Sequence, residues 1–194
     1  AFVSHRGLAV PLLRRDIDTD QIIPKQFLKS IERTGFGRYL FYDWRTRPDG
    51  TLDQAFVLNH PRYAKASVLI AGANSGWVPS REHAAWALED YGIRAVIAPS
   101  FADIFRANAV TNGVLPVTLG DDVVRRLAEH ATGSEAYEVE IDLAGRRVRD
   151  DHGLDEGFEI EEAAHHRLLH GLDDIGLILQ HEAAITRYES RPRP

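Results

Sequence analysis

The sequence predicts an α/β domain in which a parallel sheet with crossover helices is joined to a smaller antiparallel sheet. Two observations carry this. Three short apolar runs, Ser67-Val-Leu-Ile-Ala71, Arg94-Ala-Val-Ile-Ala98 and Val114-Leu-Pro-Val117, are separated by segments of helical length and pattern at residues 80–91 and 101–112. Strand and helix in alternation imply parallel pairing, with the helices as crossovers. Further along, Tyr137-Glu-Val-Glu-Ile-Asp-Leu143 alternates apolar and polar residues strictly, and Ala144-Gly145 offers a turn into a returning strand at 146–150. Such alternation belongs to an antiparallel hairpin with one buried face.

The remaining elements follow in order. A strand is expected at residues 7–12, then a polar loop at 14–20, then Ile22-Ile23-Pro24, where proline prevents a long helix. Short helical pieces are expected at 25–30 and 36–41. Pro48-Asp49-Gly50 marks an exposed, turn-rich insert at about residues 45–55. Ser80 has the side chain of an N-cap for the helix over 80–91, and Asn112-Gly113 is a natural C-terminal stop for the helix over 101–112. Two helical segments close the chain, at 161–170 and 173–188, before a fraying Arg-Pro-Arg-Pro tail within 189–194. No repeat or low-complexity linker divides residues 1–194, so a single domain is expected.

Composition removes several classes of function. With 44% hydrophobic and 27% charged residues, the 194-residue chain has ordinary globular balance and enough length for a sizeable core. No run approaches the roughly 18 consecutive apolar residues of a membrane span, and the first residues lack the charged-then-apolar layout of a signal peptide. A cytoplasmic protein with no membrane association is expected. The chain has no cysteine, which excludes disulfides, thiolate zinc sites and an iron-sulfur cluster held by this chain alone. Residues 1–50 hold nine Lys/Arg against six Asp/Glu, a net +3, leaving −9 for the rest of a chain totalling −6. The positive end is the better place for an anion, although solvated surface explains the asymmetry equally well. With a pI near 5.8 and no basic stripe interleaved with aromatics, nucleic acid is not an expected partner.

Three segments have residues suited to chemistry. Gly72-Ala-Asn-Ser-Gly-Trp-Val-Pro-Ser-Arg-Glu-His83 leaves a buried strand and enters a helix at Ser80. The N–H groups and positive dipole end of that helix suit a carboxylate or phosphate, and Arg81 offers a bidentate fork. Trp77 after Gly76 removes a Walker-type phosphate loop, which needs Lys followed by Ser or Thr. Simple capping by Ser80 and a surface ion pair at Arg81 would serve as well on these residues alone. His83 reads as a packed or solvated helix histidine. Asp16-Ile-Asp-Thr-Asp20 places three carboxylates in five residues, but the glycine and terminal Glu of a calcium loop are missing, so a hydrogen-bonded turn is the default. His166 and His170 have the i, i+4 spacing of a two-histidine metal pair without the Glu of HExxH or an evident third ligand.

Taken in order, these segments resemble the small subunits of isopropylmalate isomerase (3-isopropylmalate dehydratase), in the aconitase superfamily. The matching residues are Val10-Pro-Leu12, Asp18-Thr-Asp-Gln-Ile-Ile-Pro24, Thr34-Gly-Phe-Gly37, Asp43-Trp-Arg45, Ser80-Arg-Glu-His-Ala84 and Trp86-Ala-Leu88. They continue through Asp90-Tyr-Gly92, the run from Arg94 to Phe105, Asn112-Gly113 and Gly171-Leu-Asp-Asp-Ile-Gly176. The resemblance implies a three-layer β/β/α swivelling domain and a large-subunit partner, in a heterodimer or heterotetramer, that carries a [4Fe–4S] cluster on its own cysteines. It implies a hydro-lyase of leucine biosynthesis that moves a hydroxyl between adjacent carbons of a 2-hydroxy dicarboxylate, 2-isopropylmalate, through an alkene. It further implies that Ser80 and Arg81 bind a substrate carboxylate. Asp18, Thr19 and Asp20 would shape the pocket edge facing the large subunit, and residues 34–42 would tune specificity. An isolated small subunit, with a partner-facing apolar patch exposed, is expected to self-associate.

One departure bears on the chemistry. The family loop usually ends Gly-Ser-Ser-Arg-Glu-His, its first serine acting as proton-abstracting base by analogy with aconitase. Aligned without a gap, that serine falls on Pro79, the preceding glycine on Val78, the usual Cys or Thr on Trp77 and the usual aromatic on Ser75. Proline has neither a hydroxyl nor an N–H, and it confines Val78 to extended backbone. No residue of this chain is therefore assigned as the catalytic base. The alternatives left open are a related dehydratase acting on citramalate, homocitrate or a specialised-metabolism hydroxy acid, and a non-catalytic or regulatory homologue.

Overall fold

The computed structural model describes residues 1–27, 35–74, 82–133, 135–172 and 176. Their strands form one seven-stranded sheet in the order β4-β3-β2-β1-β5-β6-β7. Strand β1 (Ser4–Leu12) joins its two parts. From Ser4 to Leu8 it pairs antiparallel with β5 (Glu138–Asp142), and from Ala9 to Leu12 it pairs parallel with β2 (Val68–Ala71). The parallel part continues through β3 (Ala95–Ala98) to β4 (Leu115–Thr118). The antiparallel part continues through β6 (Arg147–Arg149) to β7 (Asp155–Gly157). The parallel and antiparallel sheets expected from the sequence are thus continuous through β1.

Gly7, next to the point where β1 changes partner, leaves room for two side chains that a Cβ would push aside. A Cβ there would lie 2.0 Å from Ser67 Oγ and 2.6 Å from His5 Nε2, two atoms that are themselves 2.7 Å apart.

Every residue of β2 and β3 is buried, as expected of strands covered on both faces. Alternate residues supply two cores. Val10, Leu69, Ala71 and Val96 pack with Phe36, Phe41, Leu88 of α3 (Glu82–Tyr91) and Phe105 of α4 (Asp103–Thr111). Ala9, Val68, Ile70, Ala95 and Ile97 face the other way, toward α5 (Asp121–Thr132) and Val139, Ile141 and Val148 of the antiparallel strands. The layers are therefore α3 with α4, the parallel strands, and the antiparallel strands with α5. Helix α6 (Glu162–His170) packs beside α4, and Leu168 C=O accepts the Phe2 N–H at 2.7 Å, next to the start of β1.

Most of the expected elements are present, some shortened. The segment at 25–30 is a single 3-10 turn over Lys25–Phe27, the rest lying outside the described residues. That at 36–41 is a 3-10 turn over Gly37–Tyr39, leading into the one-turn helix α2 (Tyr42–Arg45). The insert is exposed at its tip and closed by a bridge between Thr46 and Leu52. Helix α4 stops at Asn112, with Gly113 at φ +76°. Pro116 is tolerated in β4 because Leu115 and Leu119 donate inward, to Arg94 and Ala98, which leaves the nitrogen of residue 116 on the open edge. Helix α5 and the three-residue β7 were not expected. Val123, Val124, Leu127, Ala128 and Ala131 give α5 a clear apolar stripe, so its signal was present in the sequence. Residues 173–175 and 177–194, including most of the expected last helix and the tail, lie outside the described residues. Among the described residues no helix is long and apolar enough to cross a membrane.

Candidate functional site

In open α/β sheets ligands bind where the loops leave the carboxyl ends of parallel strands. Here that edge is made by the segments after Leu12, Ala71 and Ala98. The chain leaving β2 enters at Gly72, whose added Cβ would lie 2.3 Å from the Arg14 carbonyl oxygen, so glycine is needed for the two loops to pass. Asp16 N–H then donates to Ala73 C=O at 3.0 Å. Asn74 ties three loops together: its Nδ2 donates to Asp16 Oδ1 at 2.9 Å, its backbone N–H donates to Ser100 Oγ at 2.9 Å, and its Oδ1 accepts from Ser100 Oγ at 3.0 Å. Asp16 at φ +54° and Asn74 at φ +56° both hold left-handed backbone, which Asp and Asn tolerate better than most side chains.

The acidic cluster divides by role. Asp18 is the N-cap of α1 (Thr19–Ile22): its Oδ1 accepts from Gln21 N–H at 2.7 Å, and Gln21 Oε1 accepts from Asp18 N–H at 3.1 Å. This reciprocal capping box realises the hydrogen-bonded turn expected by default. Thr19 is buried. Asp20 Oδ2 pairs with Lys25 Nζ at 2.9 Å, whereas its Oδ1 is buried without a hydrogen-bond partner among the described residues. The carboxylates of Asp16, Asp18 and Asp20 thus turn to separate partners, Asn74, Gln21 and Lys25, and no group of three or more His, Cys, Asp and Glu suited to a metal occurs among the described residues.

Residues 36–45 pack along α3, from Phe36 beside His83 near its start to Gly37 and Arg45 at its far end. Gly37 N–H donates to Asp90 Oδ2 at 2.7 Å, and a Cβ at Gly37 would lie 2.6 Å from the Tyr91 nitrogen. Arg45 lies half-buried, with Nε donating to Asn59 Oδ1 at 3.1 Å and its guanidinium 4.9 Å from the Tyr91 ring. Burial pulls its pKa below the ordinary arginine value, against the opposing influence of Tyr91. Arg14 reaches this segment, its guanidinium 4.1 Å from the Trp44 ring. An exposed arginine thus stands at the edge with no carboxylate paired to it among the described residues, favourable for an incoming anion.

Ser80, Arg81 and Pro79 lie outside the described residues. The helix they precede is described from Glu82, at the far end of the connection that leaves β2 at Gly72. His83 packs among aromatics as expected, its ring 5.5 Å from Phe36 and 4.5 Å from Trp86. His166 and His170 lie with rings 4.2 Å apart, and His170 Nδ1 is 2.9 Å from the His166 carbonyl oxygen, on α6 rather than at the carboxyl edge. A groove of about 900 Å³ lies between α4 and α6, lined by Arg106, Val110, Pro116, Ile160 and Ala164. Its size does not make it the site, because among the described residues neither Asp18, Thr19 and Asp20 nor any residue of the three strand-end loops joined by Asn74 lines it. The Asp16, Asn74 and Ser100 arrangement was not foreseen from the sequence. Its one local signal is Asn74 following Gly72-Ala73, an amide residue suited to a left-handed turn just after a buried strand.

Comparison with known proteins agrees with this architecture. The aconitase C-terminal domain family matches residues 1–122. The 3-isopropylmalate dehydratase small subunit of Frankia alni is 54% identical over 190 residues, covering 98% of this chain and 94% of that protein. The small subunit of the same name from Brevibacillus brevis is 52% identical, covering 98% of each. That from a Parafrankia species is 53% identical, covering 99% of this chain and 95% of the relative. A crystal structure of 3-isopropylmalate dehydratase from Methanocaldococcus jannaschii shares the fold, with a TM-score of 0.69 at 24% identity over 95% of this chain and 99% of that one. With the carboxyl-edge loops in place and relatives matched from end to end, the chain belongs to the family of 3-isopropylmalate dehydratase small subunits, built on the aconitase C-terminal domain.

Proposed function

We propose that this chain is the small subunit of a heteromeric hydro-lyase that converts 2-isopropylmalate to 3-isopropylmalate, with a large subunit as its partner. The observation that supports this most strongly is identity of 52–54% to small subunits of that enzyme over nearly the whole chain. In the first half-reaction a C–O bond and a neighbouring C–H bond break, giving an alkene and water; in the second, water adds back with its hydroxyl on the other carbon. The substrate carries two carboxylates, so the site needs fixed cations and N–H donors.

In this reading Arg81 and Ser80, at the helix start, hold one carboxylate. Arg14 adds positive field at the same edge. Asp18, Thr19 and Asp20 form the turn at the pocket edge facing the large subunit, and residues 34–42 cover the substrate side chain. The chain has no cysteine, so its residues do not fit thiolate ligation of an iron-sulfur cluster. A [4Fe–4S] cluster belongs, in this proposal, to the large subunit, where it supplies Lewis acidity toward the leaving hydroxyl. Residue 79 supplies no base, since proline has no group to accept the proton, and turnover is accordingly slow.

The test is co-expression with a cluster-bearing large subunit, following alkene absorbance with 2-isopropylmalate, citramalate and homocitrate. The expected result is a stable complex with highest kcat/KM for 2-isopropylmalate. No complex, or preference for either other acid, would overturn the assignment.

A further inference from the structure

We propose that Asn74 is a positioning residue, whose side chain sets the affinity of the assembled enzyme for its carboxylate substrate by clamping three strand-end loops together. The inference rests on the functional reading above and concerns a residue to which neither the motif comparison nor the substrate contacts assign a role.

The geometry is specific. Asn74 lies two residues beyond Gly72, at the point where the chain leaves β2 for the connection to α3. Its amide reaches the loop after β1 through Asp16 and the loop after β3 through Ser100, at 2.9 and 3.0 Å. Its backbone N–H is held by the same Ser100 hydroxyl at 2.9 Å. One side chain therefore fixes the direction of departure from β2 against both neighbouring strands. The Asp16 N–H to Ala73 C=O bond, at 3.0 Å, holds the two backbones in register but leaves the rotation of residue 74 free. Arg14, the exposed cation at this edge, lies two residues before Asp16 in the loop that the clamp holds, and a displacement of about 1 Å at a carboxylate contact is enough to change binding markedly.

The pair is also chemically exchangeable. Both positions have left-handed backbone, at φ +54° and +56°, and both Asp and Asn accept that conformation. Asn74→Asp sets two carboxylates against each other, and Asp16→Asn in the same chain restores a donor facing an acceptor without changing net charge. Asn74→Gly removes the side chain while keeping the backbone relaxed.

The experiment measures the dissociation constant of 2-isopropylmalate by calorimetry on the complex with the large subunit, in the unaltered chain, Asn74→Gly, Asn74→Asp and Asn74→Asp with Asp16→Asn. Melting temperature is recorded beside it. Both single variants should weaken binding about tenfold, and the exchanged pair should return to within about twofold of the unaltered complex. A residue important only for folding would lower melting temperature and the yield of complex, leaving the affinity of the folded fraction unchanged. Equal dissociation constants in all four proteins, or failure of the exchanged pair to recover, would overturn the clamp while leaving the functional reading intact. No binding by the unaltered complex would overturn that reading and the clamp with it.

Discussion

His5 sits at the junction of the two parts of the sheet, its Nε2 2.7 Å from Ser67 Oγ, and its pKa is lowered first by burial and second by Arg94. The unfolded chain therefore binds a proton that the folded chain refuses, between the folded value and the ordinary value near 6.5. The sign follows directly: stability is full above about pH 6.5 and falls as pH drops through this window. Urea midpoints measured at pH 7.5 and 5.5 should differ less in His5→Gln, which can still bond Ser67, than in the unaltered protein. An equal difference in the two proteins would show that other groups carry the dependence. The same residue illustrates a limit of reading sequence, since nothing in Ser4-His5-Arg6 indicates that a serine 62 positions away will face it.

Among the elements, the parallel strands were legible because burial on both faces leaves short apolar runs, and the β5–β6 hairpin because one buried face leaves strict alternation. The change of partner within β1 was not legible, because the residues of one continuous strand do not say which neighbour each half will pair with. The stop of α5 has a local signal, Gly133, whose N–H donates to His130 C=O at 3.1 Å, but the side chains from elsewhere that reinforce it were not legible. Arg62 Nη2 donates to Glu135 C=O at 2.7 Å and to Ala131 C=O at 3.4 Å, while Tyr63 Oη donates to Ala131 C=O at 2.6 Å. A cation and a hydroxyl thus occupy carbonyls at the negative end of the helix. Arg62→Ala should destabilise the protein by about 1 kcal/mol in urea titration, with the helix-end amides the first to gain hydrogen exchange. No change in midpoint would mean that solvent replaces the arginine at no cost.

Over the whole molecule, membership in the family was legible from the order of motifs spanning Val10 to Gly176, and the relatives at 52–54% identity bear it out. The zero cysteine count is compatible with that membership, since it excludes only thiolate ligation of a cluster by this chain alone. The candidate site was legible only in part. Asp18 was visible as a turn and proves to be a cap, whereas the Asp16, Asn74 and Ser100 contacts depend on bringing together three loops that are remote in sequence. The resemblance marks Ser75, Trp77, Val78 and Pro79 as departures from the family motif, and of these residue 79, immediately before the proposed carboxylate contacts, is the one that bears on the base.

The most direct test of the account is therefore Pro79→Ser compared with the unaltered chain, each assembled with the large subunit, following alkene formation from 2-isopropylmalate. The account predicts a rise in kcat of about 10²-fold, the usual scale of a restored acid-base group, with substrate affinity changed less than about threefold. An unchanged kcat, with the unaltered complex already turning over at the same rate, would contradict it by showing that the proton is removed elsewhere.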